Sequence, residues 1–248
     1  ASDVYKRQKH NNPCGVAIRD NVLDAYLVAL SCDNVSAFGG ILTSNQAIDI
    51  KVAEEINKLF FEVLIAPNFS ESALDLLKSK KNRIIIKLKA YPKNKLQTRS
   101  CLNGILEQDI DDKIEKFDDF KVVTKISPNS TKSDDLVLAS IIVKHTKSNC
   151  IAIVKNKQLI GSGMGQVSRI DALNQAIEKS KKFGFDPNES CLASDAFFPF
   201  SDCVEISHAN NINSIVQPGG SIKDQDSIDF CNKNGMSMVF SGIRQFRH

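Results

Sequence analysis

The stretch CIAIVKNKQLIGSGMGQVSRIDALNQAIEKSKK, residues 150–182, decides the fold class. It opens with the apolar run CIAIV at 150–154, which is typical of a buried strand. A glycine-rich segment follows and leads into residues 169–182, where Ile170 and Ile177 lie on one face of a predicted helix. A buried strand that passes through a turn into an amphipathic helix is the repeating unit of an α/β protein.

The same alternation of strands and helices continues through the rest of the chain. Apolar periodicity predicts further helices at 22–31, 49–61, 71–79, 134–145, 202–210 and 224–234. Short apolar runs predict strands at 15–18, 63–66, 83–89, 191–194, 214–217 and 236–240. We therefore expect an α/β protein with largely buried sheets, built as two halves. A polar connection over 91–133 joins them and contains a strand or two, at 99–107 and 121–125.

Composition restricts the classes of protein to which this chain can belong. It has 248 residues, of which 42% are hydrophobic, and a formal net charge of +3, as expected of a globular protein with a mixed surface. The charge is too small and too scattered to require nucleic acid as a partner. No apolar run approaches the roughly 20 residues that span a bilayer, and the amino end does not resemble a secretion signal. We therefore expect a cytoplasmic protein without a membrane partner.

The sequence lacks the signatures of three common kinds of site. The seven cysteines form no CxxC pair, so we expect reduced, mostly buried thiols in place of disulfides or structural zinc. The segment GSGMGQ is not a dinucleotide fingerprint, because Gln166 stands where the third glycine of GxGxxG should be. It is not a P-loop either, because no GK[ST] follows. Its backbone amides could still meet an anion at the start of the helix.

Residues 9–15, KHNNPCG, are the first candidate for catalysis. Lys9 and His10 place a fixed cation beside a group that exchanges protons near neutral pH. Pro13 and Gly15 favour a tight, non-helical backbone after the pair. Taken alone, the pair fits an ordinary surface position at least as well as a catalytic one.

Four further segments stand beside predicted strands, where ligand sites of α/β proteins gather. Residues 36–40, SAFGG, combine paired glycines with Phe38, which offers a stacking face or simply anchors a turn in the core. Residues 194–202, SDAFFPFSD, resemble a wall for a flat ring, flanked by carboxylates. Residues 217–221, QPGGS, follow another strand. Residues 244–248, RQFRH, follow the last strand, so we expect an anchored terminus whose arginine suits phosphate recognition.

Eight segments of the chain, taken in order, resemble one family. They run from Lys9 to His248 and read KHNNPCGVAI, DNVSAFGGIL, VVTK, KHTKSN, IGSGMGQVSRIDA, ASDAFFPFSD, IVQPGGSIKD and GMSMVFSGIRQFRH. The family consists of bifunctional purine biosynthesis enzymes, which combine 5-aminoimidazole-4-carboxamide ribonucleotide (AICAR) formyltransferase with IMP cyclohydrolase. The chain resembles the formyltransferase portion.

The resemblance implies a reaction and a set of site residues. A formyl group would pass from 10-formyltetrahydrofolate to the 5-amino group of AICAR, in IMP biosynthesis, without a catalytic metal. His10 would accept the amine proton, Lys9 would stabilise the transition state, and Asn149 would orient the substrate. Other positions matched to the nucleotide are Phe38, Gly39, Glu62, Arg244 and Phe246. Positions matched to the reduced folate are Arg169, Ile170, Phe197, Pro199, Asp202, Ser221 and Ile222.

The resemblance also implies a fold and an assembly. We expect two cytidine-deaminase-like, three-layer α/β/α units at 9–125 and 126–248, and a homodimer with active sites at its interface. Residues 1–8 make a poor buried strand, so we treat them as a foreign or truncated leader. The cyclohydrolase domain is missing from the match, together with an Arg-Tyr motif that contacts the nucleotide in the family. An inactive, truncated remnant that folds and dimerises without turnover is therefore an alternative.

A zinc-dependent deaminase is the second alternative, because it shares the implied fold and Pro13-Cys14 resembles part of its signature. Such a site requires H-x-E and P-C-x-x-C. Asn12 stands at the glutamate position after His10, and Ala17 stands at the second cysteine position. We therefore expect no zinc.

Overall fold

The computed structural model describes residues 3–91 and 95–247. Within these residues the chain alternates strands and helices, and the α/β class is confirmed. The strands are β1 (Asp3–Lys9), β2 (Asn12–Arg19), β3 (Gly40–Ser44), β4 (Phe61–Ala66), β5 (Ile84–Lys87), β6 (Leu96–Cys101), β7 (Gly104–Asp109), β8 (Lys121–Val122), β9 (Ile151–Lys155), β10 (Gln158–Gly163), β11 (Cys191–Ser194), β12 (Ser214–Gln217) and β13 (Ser237–Phe240). The helices are α1 (Val22–Ser31), α2 (Ile50–Asn57), α3 (Glu71–Lys78), α4 (Ser130–Lys144), α5 (Arg169–Lys182), α6 (Asp202–Ala209) and α7 (Asp224–Lys233).

Side-chain caps fix the starts of five helices. In each case a polar residue directly before the helix accepts a hydrogen bond from the backbone N–H three positions later. The five caps are Asn21, Asp49, Ser70, Asn129 and Ser168. Ser168 caps α5, so the position of Arg169 in the first turn of this helix is fixed.

Eleven strands form one mixed sheet in the order β5-β4-β3-β1-β2-β10-β9-β11-β12-β13-β8. In its first half β2 and β3 flank β1, both antiparallel to it, and β3, β4 and β5 run parallel. In its second half β10 and β11 flank β9, both antiparallel to it, and β11, β12 and β13 run parallel. The two halves therefore duplicate one topology, which periodicity alone does not reveal.

The halves join where β2 and β10 pair antiparallel. Ala17 lies opposite Gln158. Helices α1 and α5 pack closely on these two strands because glycine faces each helix. A Cβ on Gly163 would lie 1.8 Å from the carbonyl oxygen of Ala172, and a Cβ on Gly15 would lie 2.0 Å from that of Ala29. Side chains at either glycine would push the helix away from the sheet.

The second half has three layers. Its strands are buried on both faces, and successive side chains alternate between two cores. Ile151 and Ile153 pack in a cluster with residues of α5, α6 and α7, whereas Ala152 and Val154 pack in a cluster with α4. Helices thus cover both faces of this part of the sheet.

In the part of the chain described, strands β3, β4 and β5 of the first half have helices on one face, whereas Val16 on β2 packs in the cluster with α4. Leu42 and Leu64 pack on the helix-covered face against α1, α2 and α3. The opposite face carries two rows of side chains, Ile41, Val63 and Ile84, then Thr43, Ile65 and Ile86. Ile84 is 58% exposed and Ile86 is 41% exposed. Around β3, β4 and β5 two layers are therefore present where the resemblance implies three.

Two expectations about segments of the chain are corrected. Residues 3–9 form β1, which pairs with strands on both sides although its polar sequence predicts no buried strand. Backbone hydrogen bonds to two neighbours form this strand whatever its composition. Strand β8 pairs with β13, so residues 121–122 belong to the second half of the sheet although we placed the boundary after 125. Ala1, Ser2 and His248 lie outside the described residues.

The polar connection contains a separate hairpin. The strand predicted at 99–107 is two antiparallel strands, β6 and β7, which turn at residues 102–103. Every residue of both strands is exposed. The hairpin therefore extends from the body of the protein.

Candidate active site

The segments that carry the predicted site residues meet at one edge of the sheet. Because the two halves join antiparallel, the starts of β2, β3 and β4 share this edge with the start of β9 and the ends of β10 to β13. Lys9 ends β1 at this edge and Asn149 lies two residues before β9, and Arg169, Phe197 and Arg244 follow strands that end there. The topology thus gathers residues that are far apart in sequence.

A two-residue turn places Lys9 and His10 at this edge. Lys9 ends β1 and pairs with Asn12 at the start of β2. The intervening His10 and Asn11 have positive φ angles of 50° and 66°, as in the type I′ turn that suits a tight hairpin. His10 is exposed, so its imidazole is accessible to a ligand.

The turn is tied to the second half of the protein. The side-chain oxygen of Asn12 accepts a hydrogen bond of 3.0 Å from the backbone N–H of Lys147. Lys147 stands two residues before Asn149. This bond therefore places the turn with His10 beside the segment that carries Asn149.

The ammonium group of Lys9 is held by the loop before β3. Its Nζ donates to the carbonyl oxygens of Phe38 at 2.8 Å and Gly39 at 3.1 Å. An ammonium group has three N–H donors, so one remains for a ligand. Gly39 has a φ of +65°, and a Cβ there would lie 3.0 Å from Lys9 Nζ. Glycine therefore meets both the backbone and the steric requirement of this loop.

Aromatic and acidic groups surround the same loop. The ring of Phe38 is 60% exposed and tilts against the ring of Phe60, with 5.3 Å between centroids. The backbone N–H of Gly39 donates to the carbonyl of Phe60 at 2.9 Å. Glu62 is exposed, and its Oε1 would lie 3.8 Å from a Cβ on Gly39. The predicted residues Phe38, Gly39 and Glu62 are thus neighbours.

Asn149 and Arg169 form the second part of the site. The amide nitrogen of Asn149 donates to the carbonyl oxygens of Gln166 at 3.0 Å and Val167 at 3.2 Å. This orientation turns its oxygen toward Arg169, whose Nη2 donates to it at 3.0 Å. Both amide hydrogens of Asn149 are therefore committed to the protein, and a substrate would meet its oxygen.

A buried carboxylate holds Arg169 in place. Nη1 of Arg169 lies 3.1 Å from Oδ1 of Asp195, and the Asp195 side chain is wholly buried. Burial lowers the pKa of Arg169, and the charge of Asp195 opposes that shift. Arginine stays protonated under such conditions, so the pair fixes a cation beside Asn149.

The carboxyl-terminal segment is anchored to the same cluster. The backbone N–H of Gln245 donates to the carbonyl of Asp195 at 2.8 Å, and its side chain lies 3.4 Å from Oε2 of the buried Glu115. Ser148 and Arg247 exchange two hydrogen bonds of 2.9 Å. The predicted anchoring is confirmed for residues 244–247.

This anchoring leaves Arg244 and Phe246 on the exposed side of the segment. The guanidinium carbon of Arg244 lies 5.7 Å from the ring centroid of Phe197 and 5.2 Å from that of Phe246. Cations near aromatic faces are attracted by the ring quadrupole. The three predicted residues therefore form one contact group.

A cavity of about 500 Å³ lies beneath the β6–β7 hairpin and beside the terminal segment. Lys144 in its wall is paired with Asp111 at 2.7 Å. The cavity is lined by Gln97, Arg99, Leu106, Gln108, Ile110, Asp111, Lys144, His145, Arg244, Gln245, Phe246 and Arg247. Basic side chains outnumber the single acidic one, so the cavity favours an anionic group.

The remaining predicted residues lie on neighbouring loops and on the first turns of α5 and α6. Ile170 packs partly on the core, Pro199 is exposed, and Asp202 begins α6. Asp224 accepts hydrogen bonds from the backbone of the loop after β12, including one of 3.1 Å from Ser221. Ile222 beside it is fully exposed. Within the part of the chain described, neither Ser221 nor Ile222 hydrogen-bonds to the Asn149 cluster.

Sequence reasoning did not select several residues that organise this site. Asp195 stood inside a quoted motif without a role, and Gln245 stood between two selected residues. Asn12 and Ser148 were likewise passed over. A polar residue directly after a buried strand was the available signal for Asp195. The roles of Gln245, Asn12 and Ser148 depend on hydrogen-bond partners distant in sequence, so no local pattern predicts them.

Two kinds of feature are absent from residues 3–91 and 95–247. No group of three or more His, Cys, Asp and Glu side chains there is placed to hold a metal ion. No helix in these ranges has the length and apolar character to cross a bilayer.

Comparison with known proteins identifies the family. A family model described as the AICARFT/IMPCHase bienzyme matches residues 3–179. The chain belongs to this AICARFT/IMPCHase family. It is 54% identical over 240 residues to the bifunctional purine biosynthesis protein PurH of Bacteroides thetaiotaomicron, covering 97% of this chain and 47% of the relative. It is 49% identical over 244 residues to PurH of Acetivibrio thermocellus, with the same two coverages.

The chain therefore spans about half the length of these AICARFT/IMPCHase relatives. A solved structure titled a diaminohydroxyphosphoribosylaminopyrimidine deaminase/5-amino-6-(5-phosphoribosylamino)uracil reductase, from Thermotoga maritima, is also similar. It shares 16% identity and a TM-score of 0.30, over 45% of this chain and 35% of its own. Likeness at that level does not establish a shared fold.

Proposed function

We propose that this AICARFT/IMPCHase family member carries the formyltransferase step of purine biosynthesis. It would transfer a formyl group from 10-formyltetrahydrofolate to the 5-amino group of AICAR. The observation that carries the proposal is the hydrogen bond between Asn12 and Lys147, which joins the Lys9–His10 turn to the Asn149 segment. A proton acceptor, a cation and an amide that is held by a second cation thereby meet at one edge of the sheet.

The chemistry requires a weak nucleophile to attack a stable formamide. The amine lone pair of AICAR is conjugated with its ring, so removal of the amine proton as the N–C bond forms lowers the barrier. His10 accepts that proton, and a positioned acid–base group of this kind contributes roughly 10²–10⁴-fold. Collapse of the tetrahedral intermediate breaks the bond to N10 of the folate, which gains a proton and leaves as tetrahydrofolate.

Lys9 supports the negative charge that develops on the formyl oxygen. Two of its three N–H donors are held by Phe38 and Gly39, which orients the third. A preorganised donor at an oxyanion is worth about 3–4 kcal/mol in the transition state. The side-chain oxygen of Asn149, fixed by Arg169, orients the nucleotide.

The surroundings suit the two proposed substrates. The basic cavity that includes Arg244 and Phe246 suits the phosphate-bearing end of AICAR, and Phe38, Gly39 and Glu62 surround the Lys9 ammonium. The folate would meet Arg169, Ile170, Phe197, Pro199, Asp202, Ser221 and Ile222. Phe197 offers a flat wall next to the Arg244 cation. We place these sites in a cytoplasmic homodimer, without a metal cofactor.

Formyl transfer by the wild-type chain and by His10→Ala tests this proposal. We expect turnover to fall at least about 100-fold while calorimetry shows AICAR binding largely intact. His208→Ala, on the exposed side of α6, is the matched control and should retain full turnover. Full turnover by His10→Ala would refute the assignment. A wild-type chain that binds neither AICAR nor a folate analogue would instead be the inactive remnant.

A further inference from the structure

Asp33 stands at the base of the loop that carries Phe38 and Gly39. It stands two residues after the end of α1 and is only 2% exposed. Its Oδ1 accepts a hydrogen bond of 2.8 Å from the backbone N–H of Ser36, which closes the turn leading to Phe38. One oxygen of this buried carboxylate therefore shapes the loop that holds the Lys9 ammonium.

The other oxygen of Asp33 reaches across to the second half of the protein. Oδ2 lies 2.7 Å from Nζ of Lys179, whose side chain is 23% exposed. Lys179 belongs to α5, the helix whose first residue is Arg169. The ion pair thus joins the loop beside Lys9 to the helix that carries the partner of Asn149.

This ion pair is not needed to dock α1 itself. The side-chain amide of Gln158 on β10 already donates to Ser31 Oγ at 3.1 Å and to the carbonyl of Val28 at 3.3 Å, both at the end of α1. Gly15 adds close contact between α1 and β2. The segment that depends on Asp33 is therefore the loop after the helix.

We propose that Asp33 and Lys179 are a positioning pair for the nucleotide, an inference that rests on the proposed function. The pair holds the loop against α5. The carbonyls of Phe38 and Gly39 then bind Lys9 at a fixed position relative to Asn149. A rigid helix then sets the distance between the two parts of the site. Neither residue touches the reacting atoms, so both act through the loop, by placing the nucleotide contacts Phe38 and Gly39 and, through their carbonyls, the Lys9 ammonium.

Lys179→Met removes the cation and keeps most of the side-chain volume. Because the loosened loop must then be ordered when the nucleotide binds, we expect the KM for AICAR to rise about tenfold. The KM for the folate should stay within about twofold of wild type, a split that general destabilisation would not produce. Lys179→Arg keeps the charge and should restore nucleotide binding. Asp33→Asn keeps an acceptor for Ser36 and should resemble Lys179→Met.

The exposed pair of Asp134 and Lys157 provides the matched control, since its side chains are 59% and 40% exposed at a distance of 2.9 Å. Lys157→Met should leave both KM values unchanged. Hydrogen exchange gives a readout independent of turnover, and amides 34–39 should exchange faster in Lys179→Met and in Asp33→Asn. Unchanged exchange there, or an unchanged KM for AICAR, would overturn the pair's role. If the wild-type chain binds no AICAR, the proposed function fails, while exchange still decides whether the pair holds the loop.

Discussion

Arg169 and Asp195 form an ion pair of 3.1 Å in which the carboxylate is wholly buried and the guanidinium side chain is 10% exposed. The two residues come from different segments, one at the start of α5 and the other after β11. Asn149 occupies the second Nη of Arg169. The charge pair is therefore part of the framework that orients Asn149 as well as part of the proposed folate site.

Arg169→Met should destabilise the protein by about 3–5 kcal/mol, because it leaves Asp195 buried without its cation. Urea denaturation measures the loss. Adding Asp195→Asn should recover part of it, since the buried charge is then removed. Lys223→Met, in an exposed pair with Asp226, serves as a control and should change stability by no more than about 1 kcal/mol. An equal loss of stability in Arg169→Met and Lys223→Met would contradict the expectation.

Gly163→Ala should disturb the packing of α5 on β10. The added Cβ would lie 1.8 Å from the carbonyl oxygen of Ala172, a backbone atom that cannot move aside alone. We expect a loss of about 3 kcal/mol or more in thermal or urea unfolding, as for severe overpacking. Gly184→Ala is the comparison, because its φ is +80° but no atom lies within 4 Å of the new Cβ. It should cost only the roughly 1–2 kcal/mol of left-handed backbone strain.

Cys101 should be the first thiol to react with an alkylating reagent at pH 8. It is exposed at the end of β6, whereas the other six cysteines are buried. Burial raises the pKa of Cys32 to about 11 and of Cys191, Cys203 and Cys231 to about 12, so these thiols stay protonated and weakly nucleophilic at that pH. Mass spectrometry should show one rapid modification, which Cys101→Ser abolishes. Several rapid modifications in the folded protein would argue against the buried arrangement.

The combined change Ile84→Lys and Ile86→Lys should reduce self-association of the chain. These side chains are 58% and 41% exposed on the uncovered face of the edge strand β5, and such apolar surface promotes contacts between molecules. Light scattering at increasing protein concentration measures the effect. Val35→Lys, at a residue 69% exposed in a loop, should have little influence. The same concentration dependence in all three proteins would show that this face is not responsible.

The helices were predictable because their signals are local. The seven helices of the described residues fall where apolar periodicity predicts them, and α5 shows why: Ser168 caps its first turn and Leu173 and Ile177 lie in the core. The most buried strands were equally clear, since β9 and β11 are apolar on both faces. Local side-chain character was sufficient in these places.

The remainder of the fold depends on contacts between residues distant in sequence, which local patterns do not predict. Strand β1 is polar, yet backbone pairing with β2 and β3 on either side makes it a central strand. In the site, Asp195 is explained by Arg169 and by the terminal Gln245, which binds its backbone. The residues next to Lys9 and His10 in the sequence did not suffice to predict a role for the pair. Their contact with the Asn149 segment runs through Asn12 and Lys147, 135 positions apart.

The duplicated topology contains a second copy of the tight bend between β1 and β2. Asn156 and Lys157 join β9 to β10 with φ angles of 52° and 57°. Both of their backbone N–H groups donate to Asp135, and Arg19 donates to their carbonyl oxygens. The backbone of this bend is hydrogen-bonded at the junction of the halves, whereas its counterpart presents His10 to solvent. One bend therefore contributes to the junction and the other is free to serve the proposed proton transfer, so we expect changes at His10 to leave the architecture intact.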